Sequence, residues 1–143
     1  MNSELDDILV NVLAFDDITL FINAKITERK IMTNWTEKLR HVGSSTGKLA
    51  SGAPETMRSF GGMAASVMKD GALDKKTKEL MAVSISICIR CEGCIAYHVS
   101  NAAKAGATRE EIVETITVAV EMGGGPSTVY GAKALEAFDE FAG

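Results

Sequence analysis

Cys91, Cys94 and His98 are the residues whose types and spacing carry chemistry, in the run Cys91-Glu92-Gly93-Cys94-Ile95-Ala96-Tyr97-His98. Two cysteines three positions apart at the start of a helix can close a small disulfide and open it again. A helix N-terminus offers unpaired N–H groups and the positive end of the helix dipole. Both favour the thiolate, which is the nucleophilic form. His98 follows Cys94 by four residues, one helical turn on the same face. An imidazole there can take the thiol proton or hold the thiolate as an ion pair. This pairing makes Cys94 the activated thiol and Cys91 the resolving one. The reverse order, in which the first cysteine attacks, stays open.

Other readings of the same residues remain. A Cys-x-x-Cys can be two buried small apolar side chains. With Cys88 the run becomes Cys88-x-x-Cys91-x-x-Cys94-x-x-x-His98, the local spacing of an iron–sulfur ligand set, with a zinc site as a variant. Cys88, however, falls on the apolar stripe of the preceding helix, where a small core residue is expected. All three cysteines lie within seven residues, whereas a disulfide-stapled secreted domain spreads its cysteines along the chain.

Helices must position these groups. Asn34, with Glu37 three residues on, reads as the start of a first helix with the stripe Trp35, Leu39, Val42 and Leu49. Pro54 suits the first turn of a second, with Met57, Phe60, Ala64 and Val67 as its stripe and Gly71 as its stop. Asp74 caps a third, through Leu80, Met81, Ile85 and Cys88. A fourth runs from about Cys94 to Ala105, with Ile95, Val99, Ala102 and Ala103 inward and Gly106 ending it. Thr108 and Glu111 form a capping box before Ile112, Ile116, Ala119 and Val120. Gly123-Gly124-Gly125-Pro126 reads as a turn, ahead of a last helix with Val129, Leu135, Phe138 and Phe141. The methionines read as core filler. The fold class is therefore all-α, a compact domain of about six helices.

Residues 1–31 differ from the rest. They hold six acids and three bases, for −3, against −1 for residues 32–143. We read 1–31 as an N-terminal extension, either a helix through Leu5, Ile8, Leu9, Val12 and Leu13 or a hairpin turning at Asp16-Asp17. Residues 32–143 form the helical domain.

The chain has 143 residues, 46% of them hydrophobic and 24% charged, the mix of an ordinary globular protein. Its net charge is −4 and its pI about 5.2, which disfavours broad nucleic-acid binding. No apolar run approaches the roughly 18 residues of a membrane span, and no basic region opens the chain as in a secretory signal. The expected compartment is the cytoplasm.

Glu79 stands twelve residues before Cys91. On one straight helix it would lie about 18 Å away at 1.5 Å per residue, and spacing alone favours a solvated glutamate in a Lys-rich turn. It reaches the cysteines only if the chain reverses near Arg90–Gly93. The pattern Glu79-x11-Cys91-x-x-Cys94-x-x-x-His98 nevertheless resembles that of the AhpD-like family, within the carboxymuconolactone decarboxylase superfamily. The resemblance spans about residues 33–143, including Gly106-Ala-Thr-Arg-Glu-Glu-Ile112 and Met122-Gly-Gly-Gly-Pro126. It implies an all-helical, oligomeric, thiol-dependent peroxidase. Cys91 and Cys94 would be its redox pair, Glu79 and His98 its proton relay, and a dithiol, in the type enzyme on a lipoyl-bearing partner, its reductant. Gly93 stands where the type enzyme has a second histidine.

The expected activity is hydroperoxide reduction with no metal, flavin or other cofactor. The alternatives are a disulfide reductase that does not use peroxide, and a metal- or cluster-binding helical protein. Short helices with small residues on more than one face, as in Ala132-Lys133-Ala134, point to a homo-oligomer, a trimer or hexamer by symmetric closure.

Overall fold

A computed structural model describes Leu20 and residues 34–143. The two readings of the N-terminal extension, helix or hairpin, lie outside the described residues. The chain divides into two units, Met1–Asn34 and Trp35–Gly143. The second unit is built from α1 (Trp35–Gly52), α2 (Pro54–Val67), α3 (Lys75–Cys88), α4 (Glu92–Lys104), α5 (Arg109–Gly123) and α6 (Gly125–Ala142). No strand occurs among the described residues, so the fold is all-α.

The local signals act largely where the sequence places them. The Asp74 carboxylate accepts the Thr77 N–H at 2.7 Å and starts α3. Thr108 and Glu111 exchange both bonds of a capping box at the start of α5. Gly106, with φ of 80°, follows the end of α4. The triple glycine breaks the helix at a single residue, Gly124, with φ of 70°, and α6 begins at once. Gly71 does not end α2; that helix stops at Val67.

The core lies among α3, α4, α5 and α6. Glu79, Val83, Ser86 and Ile87 of α3 face it, at the i, i+4, i+7, i+8 spacing of one helical face. Ile95, Val99 and Ala102 of α4, Ile112 and Ala119 of α5, and Ala134, Ala137 and Phe138 of α6 complete it. Each fully buried Val or Ile contributes roughly 1.5–3 kcal/mol. Small residues let the helices approach closely. A Cβ built on Gly131 would lie 2.5 Å from Ile116 Cγ2, and a β-branched side chain in a helix has little rotamer freedom to withdraw.

The remaining two helices behave differently. Only Trp35 of α1 is buried, and no residue of α2 is. The start of α1 is fixed by α6: Glu140 accepts the N–H groups of Trp35 at 2.9 Å and Thr36 at 2.8 Å. Beyond Val42 the helix leaves the core, and Leu49 is exposed. α2 packs chiefly on α1. Its stripe, read as core, instead exposes Phe60 and Val67. On α3, Met81 and Ile85 are likewise exposed rather than inward, as is Val129 on α6. Met63, Met81 and Met122 are surface residues, not core filler. The apolar stripes are real, but the described helices do not cover all of them.

Candidate active site

The turn between α3 and α4 builds the site. Arg90 takes a positive φ of 59°, a left-handed conformation uncommon outside glycine. It reverses the chain, so that α4 runs back along α3. Cys91 then caps α4: its Sγ accepts the Cys94 N–H at 3.2 Å. Cys91 and Cys94 are joined as a disulfide with a Cα–Cα distance of 5.2 Å. Both are half-buried. A sulfur at a helix N-terminus, bonded by an N–H group, is placed to be held as a thiolate once the disulfide opens.

The reversal also brings Glu79 to His98. Glu79 Oε2 lies 2.7 Å from His98 Nδ1. The Glu79 side chain is only 1% exposed, and that of His98 is 22% exposed. The reading of Glu79 as a solvated surface residue is therefore overturned: a direct hydrogen bond forms, with no bridging water. With Nδ1–H donated to the carboxylate, the other ring nitrogen, Nε2, is left for proton exchange. Tyr97 lies edge-on to the imidazole, with centroids 5.1 Å apart.

Gly93 has a structural reason. A Cβ there would meet Val42 Cγ2 at 3.1 Å, so α1 lies close against the cysteine turn and a side chain at 93 would require Val42 to shift. Cys88 stands apart from the Cys91–Cys94 pair in its bonding; its thiol donates to the Ala119 carbonyl at 3.5 Å. No group of three or more His, Cys, Asp or Glu side chains suited to a metal ion occurs among the described residues.

Sequence reading missed Glu92, Lys38 and Lys133. The Glu92 carboxylate, between the two cysteines, is bonded by Lys38 of α1 and Lys133 of α6. The hydrogen bonds from Lys133 and then Lys38 hold the Glu92 carboxyl below its ordinary range. The bond to Glu92 raises Lys133 in turn. Each ammonium also lies over an aromatic ring, Lys38 at 4.5 Å from the Trp35 centroid and Lys133 at 5.1 Å from that of Tyr130. Nothing in the spacing of residues 38, 92 and 133 announces this meeting.

The fold and the site define a helical protein of the thiol-bearing kind. The sequence model of the carboxymuconolactone decarboxylase family matches residues 54–137, and the chain belongs to that family. A carboxymuconolactone decarboxylase family protein from Legionella pneumophila has a crystal structure that is 45% identical, with a TM-score of 0.73 over 76% of this chain and 97% of that one. A family member from Thermotoga maritima is 30% identical, with a TM-score of 0.65 over 72% of this chain and 88% of that one. An uncharacterized protein of Cupriavidus necator is 36% identical over 107 residues, 75% of this chain and 95% of its own length. No described helix is long and apolar enough to cross a membrane.

Proposed function

We propose that this chain is a thiol-dependent hydroperoxide reductase. One observation carries the reading: a half-buried Cys91–Cys94 disulfide at a helix start shares its helix with His98, which a buried Glu79 holds at 2.7 Å. In the reduced protein the Cys94 thiolate attacks the peroxide, the O–O bond breaks, and the alkoxide leaves as an alcohol with a proton delivered through His98. Cys94 becomes a sulfenic acid. Cys91 attacks its sulfur, expels hydroxide that is protonated to water, and re-forms the disulfide. An external dithiol then exchanges with this disulfide, returning two electrons and two protons as it is itself oxidised. A Cys91 thiolate favoured by the Cys94 N–H is the better leaving group in that exchange. Glu79 holds the imidazole in one tautomer.

The donor we propose is a dithiol, with a lipoyl-bearing protein as one form, and the compartment is the reducing cytoplasm. A suggested link of the Thermotoga maritima relative to an antioxidative response agrees with this reading. Consumption of alkyl hydroperoxide with dihydrolipoamide as reductant tests it. Turnover lost in Cys94→Ser is expected. Reduction of disulfides without any consumption of peroxide would replace the reading with that of a disulfide reductase.

The functional form we propose is a homo-oligomer, a trimer or hexamer. Exposed Leu49, Phe60, Met63 and Val67 on α1 and α2, Met81 and Ile85 on α3, and Ile89 just after it, support it. Apolar patches of this kind mark interaction surfaces. A monomer mass in light scattering, with activity retained, would overturn this assignment.

A further inference from the structure

We propose that Lys38, Glu92 and Lys133 form an electrostatic collar that sets the acidity of the Cys91 and Cys94 thiols, the two lysines favouring a thiolate and the Glu92 carboxylate opposing it. The inference rests on the thiol-redox reading only in requiring that the disulfide open to two thiols. Glu92 is the first residue of α4 and directly follows Cys91. Alone, its carboxylate would oppose a second negative charge on either sulfur. Two ammonium groups, from helices on opposite sides in sequence, meet that carboxylate. The ionised triad therefore carries a net charge of +1, centred on the residue that follows Cys91 in the chain. The three side chains are 27%, 34% and 38% exposed for Lys38, Glu92 and Lys133, so their field is screened only in part.

Among the described helices, those packed on α4 are α1, α3 and α6. The charged and titratable groups they bring to its contacts are Lys38 from α1, Glu79 from α3, and Lys133 and Tyr130 from α6, with Glu136 of α6 close enough to act on the Lys133 charge. Glu79 is committed to His98 on α4 itself, and Cys88 of α3 donates to a carbonyl. Tyr97 also lies on α4, and Arg90 in the turn before it. Of these, the collar is the set that combines two fixed positive charges with a carboxylate inside the Cys-x-x-Cys turn.

A merely structural clamp and an electrostatic collar differ in sign. Glu92→Gln removes the negative charge while both lysines keep their aromatic rings beneath them, so the thiols should become more acidic. Replacing Lys38 and Lys133 together with Met leaves the carboxylate uncompensated, so the thiols should become less acidic. The measurement is the iodoacetamide alkylation rate of the reduced full-length chain against pH. Trypsin cuts at Arg90 and Lys104, so Cys91 and Cys94 share one peptide that excludes Cys88.

Glu92→Gln should lower the midpoint by about half a pH unit, and the double lysine variant should raise it by about as much or more. Lys38→Arg, which keeps the charge, should leave the parent midpoint in place. Shifts in the same direction, or no shift in either variant, would overturn the proposal. If the double variant loses its helical circular dichroism, Lys133→Met alone must still raise the midpoint. Peroxide does not enter this measurement. A protein inert to peroxide would still show the two opposite shifts, whereas a failed collar would leave the parent profile in a protein that still turns peroxide over.

Discussion

α2 and α3 are both amphipathic helices of 14 residues, yet they end in opposite situations. α3 buries Glu79, Val83, Ser86 and Ile87. α2 offers Phe60, Met63 and Val67 and buries nothing. The difference lies in what the chain lays over each stripe. Among the described helices, α4, α5 and α6 all pack against α3, while α1 alone gives α2 substantial cover. An apolar stripe becomes core only when a connection returns another helix to it. The catalytic candidates sit on the covered side, where a buried Glu79 can hold His98 in a fixed place.

The largest expected effect tests whether the chemistry belongs to that covered side. Cys94→Ser should abolish peroxide consumption, and Cys91→Ser should leave a sulfenic acid on Cys94 that a dimedone-type reagent traps. A sulfenic acid trapped on Cys91 instead would exchange the two roles, a result that the N-cap position of its sulfur makes worth seeking. Next comes the relay. His98→Ala should slow the peroxide step by about 10²–10⁴-fold. Glu79→Gln should produce a smaller loss in the same step, since it spares the imidazole but not its fixed tautomer. Equal rates for the parent and Glu79→Gln would reduce Glu79 to packing.

Stability variants sharpen the same contrast. Ile87→Ala, in the covered stripe, should cost about 2–5 kcal/mol in chemical denaturation. Glu140 lies at the junction, where α6 caps α1. Burial would raise its pKa, but hydrogen bonds from the Thr36 side chain and the Trp35 and Thr36 N–H groups outweigh it and hold it below the usual value. A depressed folded value means that its contribution is present above the unfolded pKa and lost as pH falls through the folded one. Glu140→Ala should therefore cost about 1 kcal/mol near neutral pH, with the difference from the parent shrinking in acid. Phe60→Ala should change the stability of the isolated chain by less than about 0.5 kcal/mol. A larger loss, dependent on protein concentration, would place α2 in an interface between copies.

Much of the fold was legible because its signals are local. Asp74, Thr108 with Glu111, Gly106 and Pro54 each act within a few residues of themselves. The inward faces were less legible, and α3 shows why. Leu80, Val83 and Ile87 form one stripe, and Met81, Ile85 and Ile89 form another, at the same period and of similar character. Periodicity finds both and does not say which one the chain will cover. At the site, Cys91, Cys94 and His98 were visible from spacing within one turn of a helix. Glu79 was visible only through family resemblance, because its approach depends on the reversal at Arg90, a residue whose type does not advertise a positive φ. Lys38, Glu92 and Lys133 were invisible, being joined only by the packing of α1 and α6 on α4.

Trp35 is the chain's one tryptophan, 3% exposed and lying under the Lys38 ammonium that reaches Glu92. Its indole N–H has no hydrogen-bond partner among the described residues, and its backbone N–H is held by Glu140. One chromophore thus stands two contacts away from the cysteine turn, at the junction of α1 with α6. Its emission is a built-in optical gauge of that junction: a short-wavelength band while the indole stays dry, and a red shift when α1 lifts and water reaches the ring. Followed during stepwise reduction, the band reports whether opening the disulfide is felt beyond its own helix, without any label attached.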